Sequence, residues 1–370
     1  MARTDDTADL RVGSQAYKAY KRVVRYLHIH QLKEGDRLPT QQEFCKLLNT
    51  NNDTLNGAMH ALVKAGVLRR KSKVGTTVAE LGKLGPVVWS VGLAALPAAF
   101  QGPNSYNAVL AYGVQSELTR LGCRVQCYYR YKQEVPAKLS SFPGLEDDLE
   151  HGELDGLVVL ARAKPGVWKD LARLEVAGHE FTGDPTAPCG TSIDNVPAVV
   201  DAVSILVREG CRRVAVVHKR PRNDPPAGMK DGVGAVLSEA GLKPEAVEWI
   251  FAPPGMDSGR KLGLEFLERA PSARPDGMLV IDDYSCLGVT QELHPHASYR
   301  PRLAAMTNRQ LPLGFALPVI RFELDIDELV RRASALFLKQ LYNPTLTGQF
   351  EWVVPKRADA QTPLASPIPE

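Results

Sequence analysis

From residue 86 to residue 355 the chain alternates between short apolar runs and longer amphipathic ones. "VVWSVGLA" (87–94) is a continuous apolar stretch of the kind buried on both faces of a sheet. "NAVLAYGVQSELTRLG" follows with helical spacing and ends at Gly122. "RVQCYYR" then reads as a strand, "LEDDLEHG" as a short helix and "LDGLVVLA" as another buried strand. The pattern continues with the helix "VPAVVDAVSILVREG", the strand "RRVAVVHK", the helices "MKDGVGAVLSEAG" and "GRKLGLEFLERA", and the strand "DGMLVID". Strands that alternate with helices of this length predict parallel sheets joined by right-handed crossovers. A span of about 270 residues exceeds one ordinary domain, so the pattern predicts two α/β lobes.

The first eighty residues do not share this pattern, and their charge differs. Residues 11–78 hold 13 Lys/Arg against Glu34, Asp36, Glu43 and Asp53, a net of +9, while the whole chain carries +3 and the remainder therefore −6. Such asymmetry points to a polyanion-binding module joined to an unrelated unit.

Within that module "QAYKAYKRVVRYLHIHQL" places Tyr17, Tyr20, Val24 and Leu27 on one helical face, with Lys18, Lys21, Arg22 and Arg25 mostly elsewhere. A second helix starts after Pro39, where Thr40 and Glu43 form a T-x-x-E capping box, and its apolar stripe is Phe44, Leu47 and Leu48. After the turn "TNN", with Asn51 or Asn52 as cap, a third helix carries Leu55, Ala58, Met59, Leu62 and Val63 on its apolar face and ends at Gly66. Its other face shows Asn52, Asp53, Asn56, His60 and Lys64. Gly57 lies inside this helix, where glycine costs about 1 kcal/mol relative to alanine and nothing in the sequence explains it. "VLRRKSKVGTTV" closes the module as a β-hairpin, Val67–Arg70 and Thr76–Val78, turning near Ser72–Gly75. Three helices followed by a hairpin is the order of a winged helix-turn-helix.

Gly35, Leu38, Pro39, Glu43, Thr54, Ala58, Leu62, Gly66, Gly75, Thr76 and Val78 carry a resemblance to the N-terminal domain of the GntR family of bacterial transcription regulators. It covers about 65 residues without a gap. The resemblance implies contact with double-stranded DNA by Thr40, Gln41, Gln42, Asn51, Asn52, Asp53, Asn56 and His60, with Arg69, Arg70, Lys71, Lys73 and Gly75 on the wing. Lys18, Arg22 and Arg25 are expected to meet backbone phosphates, since each neutralised phosphate adds a counterion-release contribution. Gln42, Asn52 and Asn56 stand where the family usually has arginine. Arginine pairs bidentately with guanine and Asn or Gln with adenine, so either the operator contains more A·T or the grip is weaker.

Residues 87–355 resemble the two-lobed, periplasmic-binding-protein-like sensor of the LacI/GalR regulators. The fragments that carry this are Asp155-Gly156, Asp194-Asn195, Gly210–Ala215 and Asp282-Asp283 with Leu287-Gly288. The resemblance implies a small-molecule effector, a sugar or related metabolite, with Tyr106, Asp194 and Asp283 in its cleft. Where relatives carry an arginine three residues before a glycine this chain has Met229, with Arg222 and Lys230 as nearby substitutes. Asp194 and Asp283 also suit plain helix capping, and Tyr106 suits packing.

The expected organisation is a lead-in (1–10), a winged helix-turn-helix (11–79), a Gly/Pro-containing linker (80–86), a two-lobed sensor (87–355) and a flexible tail (356–370). No apolar run reaches the roughly 20 residues of a membrane span. The six cysteines lack zinc spacing. There is no G-x-S-x-G elbow, P-loop or H-E-x-x-H. The expected protein is a cytoplasmic, homodimeric regulator without cofactor or metal that meets a palindromic operator. Two alternatives stand beside it: a degenerate sensor without an effector, and a pyridoxal-phosphate enzyme-like regulator, for which roughly 285 residues beyond the module are few.

Overall fold

The strand–helix alternation forms two separate six-stranded sheets with the same connectivity. The computed structural model describes residues 10–95, 106–130, 136–182, 186–218 and 227–358. Packing contacts divide the chain into two units. The first holds Met1–Gln101, Ala111–Gly190 and Arg331–Phe350; the second holds Gly102–Leu110, Thr191–Val330 and Glu351–Glu370.

The first unit begins with the three-helix module. α1 (Gln15–Ile29) is capped by the Ser14 hydroxyl and buries Tyr17, Tyr20, Val23, Val24 and Leu27. α2 (Gln41–Leu47) starts with the expected box, Thr40 N and Oγ1 both donating to Glu43 at 2.9 and 2.8 Å. Only Phe44 of its expected stripe is buried; Leu47 is 61% exposed and Leu48 half-buried. Seven residues give α2 too few turns to hold an i, i+3, i+4 stripe inside. α3 (Asn52–Lys64) is capped by Asn51, whose Oδ1 accepts from Thr54 N at 2.8 Å. Gly57 now has a reason: a Cβ there would stand 3.3 Å from Ala16 Cβ, so the glycine lets α1 and α3 approach closely. β1 (Leu68–Lys71) and β2 (Gly75–Val78) pair antiparallel as the wing.

The first unit's sheet runs β13-β7-β6-β5-β3-β4. Its strands are β3 (Ser90–Ala95), β4 (Arg124–Tyr129), β5 (Gly156–Val159), β6 (Ala177–Glu180), β7 (Cys189–Ile193) and β13 (Gln349–Val353). α4 (Tyr106–Arg120), α5 (Leu145–Glu150) and α6 (Pro165–Arg173) connect them. Leu145, Leu149, Leu157, Val159, Trp168 and Leu171 form the core on one side. Where both faces are covered, as in β5, every residue is buried.

The second sheet runs β14-β12-β11-β10-β8-β9. It comprises β8 (Val214–His218), β9 (Val247–Phe251), β10 (Gly277–Val280), β11 (Arg302–Asn308), β12 (Val319–Leu324) and β14 (Lys356–Arg357). α7 (Val196–Arg208) and α8 (Ala227–Glu239) cover one face with a core of Val199, Val203, Leu206, Val216 and Leu279. α9 (Met256–Glu268) and α10 (Asp283–Leu293) cover the other with Phe266, Met278, Val280 and Val289. α11 (Ile326–Tyr342) follows β12. Lys356 and Arg357, expected in the tail, pair antiparallel with Glu323 and Phe322. A short edge pairing of this kind leaves no apolar signature to read. The lead-in before residue 10, the tail from 359 and Arg222 lie outside the described residues.

α9 and α10 approach at backbone distance. A Cβ on Gly259 would run into the Ser285 carbonyl, and one on Gly288 into the Met256 carbonyl. This contact fixes where α10 begins, and with it the position of Asp282 and Asp283.

Candidate nucleic-acid interface and ligand pocket

On the DNA-expected face of the module, Asn52, Asp53 and His60 are exposed along α3 and Asn56 is half-buried. Gln41, Gln42, Arg69, Arg70, Lys71, Lys73 and Gly75 are exposed too. Some of their polar atoms are engaged. Asn51 is the cap of α3, and Thr40 is locked in the α2 box, whose hydrogen bonds hold the Glu43 carboxyl below its usual range. Asn52 Oδ1 accepts from Cys45 Sγ at 3.2 Å, and Asn56 Oδ1 from Arg70 Nη2 at 3.4 Å. Both contacts use the amide oxygens. Lys73 turns the wing in a left-handed conformation (φ 62°) between the paired Lys71 and Gly75. Val74 beside it is 44% exposed, an apolar side chain at the tip that periodicity did not single out.

The basic residues of α1 have a different fate. Arg22 Nη1 donates to the carbonyl of Leu48 at 2.9 Å, tying α1 to the end of α2. Lys18 Nζ donates to Glu153 at 2.9 Å. Arg25 Nε donates to the Leu341 carbonyl at 2.8 Å and its Nη2 to the Asp155 carbonyl at 3.0 Å. The expectation that Lys18, Arg22 and Arg25 meet phosphates is therefore corrected: each is already held by oxygens of its own chain.

The second unit contains a cavity of about 340 Å³. It lies beyond the carboxyl ends of β9, β10, β11 and β12, lined by Pro254-Gly255, Ile281–Tyr284, Met306–Asn308 and Leu324. In open parallel sheets ligands collect there, because strand ends and helix N-termini present unsatisfied groups to a common space. Tyr106 and Asn107 from the start of α4, Ile193 and Asn195 before α7, and Pro355 complete the lining.

Asp283 is the central carboxylate. It is 6% exposed; Oδ2 accepts from Asn308 Nδ2 at 2.7 Å and Oδ1 from Tyr284 N at 3.0 Å. The cap of α10 is its neighbour Asp282, which accepts from Ser285 N at 2.8 Å and Gly255 N at 3.1 Å. Thr307 is 4% exposed and its hydroxyl has no hydrogen-bond partner among the described residues. Burial pushes the Tyr106 phenol well above its usual range, so it remains a protonated donor at neutral pH. Burial also raises Tyr284, helped by Asp283 and Asp282. No lysine or arginine lines the cavity among the described residues.

Of the expected effector residues, Tyr106 and Asp283 come together here. Asp194 does not: it is absent from the lining, and its Oδ1 accepts from N of Val196, the first residue of α7, at 2.9 Å. Met229 is 5% exposed inside the α7–α8 core, where a thioether packs well and an arginine would be desolvated. Lys230 is exposed on α8, away from the lining. Thr307 and Asn308 were missed, because "RLAAMTN" ends in polar residues and lacks the continuous apolar run that marked the other buried strands.

No helix among the described residues is long and apolar enough to cross a membrane. No cluster of three His, Cys, Asp or Glu could hold a metal ion among them either.

Residues 15–78 match the model of bacterial regulatory proteins of the gntR family, and residues 203–358 match a periplasmic binding protein-like domain. The uncharacterized HTH-type transcriptional regulator YcbG of Bacillus subtilis (strain 168) is 35% identical over 79 residues, 21% of this chain. The aligned part spans only 33% of that relative's length. Among solved structures, the Cra transcriptional dual regulator from Pseudomonas putida, in complex with fructose 1-phosphate, is similar with a TM-score of 0.55 at 16% identity, over 73% of this chain and 97% of that one. A LacI family transcriptional regulator from Arthrobacter sp. FB24, in complex with lactose, has a TM-score of 0.55 at 20% identity, over 73% and 97%. The transcriptional regulator CelR, in complex with cellobiose, has a TM-score of 0.55 at 17% identity, over 87% and 99%.

Proposed function

We propose that this chain, which joins a gntR-type helix-turn-helix head to a LacI-like, periplasmic-binding-protein-like sensor, is a sequence-specific DNA-binding transcription regulator whose grip on its operator is set by a small molecule. The observation that carries the reading is the sorting of charge in the head. The wing cations Arg69, Arg70, Lys71 and Lys73 are exposed beside an asparagine-rich helix face, in the segment that matches the gntR model. Cations supply the salt-dependent, sequence-independent part of DNA affinity, and Asn amides supply base readout, preferentially of adenine. Asn52, Asn56 and His60 enter the major groove, and Arg69–Gly75 follow the adjacent backbone.

The ligand is a sugar or related polyhydroxy metabolite in the cavity beyond β10–β12. Asp283 accepts from paired hydroxyls, Thr307 and Asn308 supply further polar contacts, and the Tyr106 ring covers an apolar sugar face. Three of the similar regulators were solved with fructose 1-phosphate, lactose and cellobiose. The absence of lysine or arginine from the described lining favours an uncharged sugar over a phosphorylated one. Ligand changes DNA affinity only by the ratio of its affinities for two states of the sensor. The regulator works in the cytoplasm as a homodimer on a palindromic operator, and performs no catalysis. A second reading, a sensor that binds DNA without an effector, is favoured by one observation: Met229 packs in the core where relatives carry an arginine.

The test is selection of bound fragments from random duplex DNA by the full chain, repeated across a panel of neutral and phosphorylated sugars. An enriched sequence whose retention changes with one neutral sugar supports the reading. Retention of no duplex at any salt overturns it, and retention indifferent to every sugar selects the second reading.

A further inference from the structure

Asp155 is 9% exposed and precedes β5, within the Asp-Gly fragment that the ligand pocket does not use. Its Oδ2 accepts from Ser90 N at 2.8 Å and from the Lys21 ammonium. Lys21 belongs to α1 of the head and is 6% exposed. Arg25, one turn on, donates to the backbone carbonyl of the same aspartate and to that of Leu341. Trp89 lies under both cations, its ring 5.0 Å from the Arg25 guanidinium and 5.9 Å from the Lys21 ammonium. Tyr17 adds a second tie, its hydroxyl accepting from Val88 N at 2.8 Å. One face of α1 is thus seated on the amino ends of β3 and β5.

We propose that Asp155 is a positioning residue for DNA binding, the anchor that locks the reading head to the first sheet in a single orientation. A purely apolar seat tolerates sliding by a turn; this one does not. Any shift of α1 leaves a desolvated ammonium, guanidinium or carboxylate without its counter-charge, a penalty larger than the pair's own net gain. The contact therefore acts on geometry more than on stability. It explains why Lys21 and Arg25 are withheld from DNA while Arg69, Arg70, Lys71 and Lys73 of the wing stay exposed. Orientation matters where two heads must reach two half-sites at a fixed spacing. This part rests on the proposed reading of the chain as a dimeric DNA binder.

Two variants of the full chain approach the anchor from opposite sides. Asp155→Asn keeps an acceptor for Ser90 N but removes the charge, and Lys21→Met removes the ammonium while Arg25 and Ser90 N still serve Asp155. Two measurements are made on each. Amide exchange at Val88, whose N–H is held by Tyr17 of the head, reports seating without any DNA. Affinity for a selected full-length palindrome, divided by affinity for its isolated half-site, reports orientation. Both variants are expected to raise Val88 exchange at least tenfold and to lower the full-to-half ratio at least tenfold, with half-site affinity unchanged. Unaltered Val88 exchange in Lys21→Met overturns the anchor. Loosened exchange with an unaltered ratio overturns its role in positioning, as does equal loss on both duplexes. If the wild-type chain binds no DNA, the exchange data still decide the seat, and the function reading is what fails.

Discussion

The head carries two sets of four cations that look equivalent on paper: Lys18, Lys21, Arg22 and Arg25 on α1, and Arg69, Arg70, Lys71 and Lys73 on the wing. The first set is consumed inside the chain. Lys21 is buried against Asp155, Arg25 reaches Leu341 and Asp155, Lys18 pairs with Glu153 and Arg22 with Leu48. The second set is exposed, with Arg70 reaching back to Asn56. Charge density cannot tell these apart, since it records how many cations a segment has and nothing of their partners. A basic run signals nucleic acid only after its internal acceptors have been accounted for.

The sharpest way to break the comparison is to truncate one member of each set. Arg25→Ala should lower unfolding free energy by about 3–5 kcal/mol, because it strands the Leu341 and Asp155 carbonyls and uncovers Trp89. Denaturant midpoints measure this, and a loss under 1 kcal/mol would mean that α1 is not seated. Replacing Arg69, Arg70 and Lys71 by alanine should leave stability within about 0.5 kcal/mol. It should weaken every duplex about 100-fold and flatten the salt slope by about 3, one for each lost phosphate contact. Titrations at several salt concentrations would expose a wing that touches no phosphate.

Burial opposes charge elsewhere in the first unit too. His179 on β6 is fully buried beside Gln340, and desolvation pushes its pKa down to about 4. Its folded value lies below the unfolded one, so the native state resists the proton. The stability this imidazole allows is complete above pH 6.5 and is lost as pH falls towards 4, by about 3 kcal/mol in all. Comparing midpoints at pH 7.5 and pH 5 for wild type and His179→Gln isolates that slope. The smallest effect falls on readout. Asn52→Ala with Asn56→Ala should reduce discrimination between operator and random duplex by about 1–3 kcal/mol per adenine contact, leaving the salt slope alone. Undiminished discrimination would move base reading to other residues of the head.

Local physics was legible in the sequence wherever signal and partner lie close together. The Thr40–Glu43 box, the Asn51 cap, the apolar faces of α1 and α3 and the buried strands β3, β5, β8 and β10 follow from spacing over a few residues. Asp283 was reached through the resemblance to the LacI/GalR sensor, and it does line the cavity. Partners separated by more than 130 residues were not legible: nothing near Lys21 announces Asp155. Met229 misled for the same reason. A resemblance assigned its position to a cleft, while its actual neighbours Val199 and Val203 belong to a helix some thirty residues earlier. Thr307 shows the opposite failure, a residue with no local mark that lines the cavity.

The backbone-to-backbone contact of α9 with α10 constrains how the second unit can answer a ligand. Gly259 and Gly288 leave no side-chain cushion between the two helices, so neither can roll or slide while the other stays. On the proposed reading, a hydroxyl drawn against Asp283 would pull on the two helices together, and the smallest available response would be their displacement as a block. Loose packing would let the signal die in a rotamer change; glycine at both crossings keeps it mechanical.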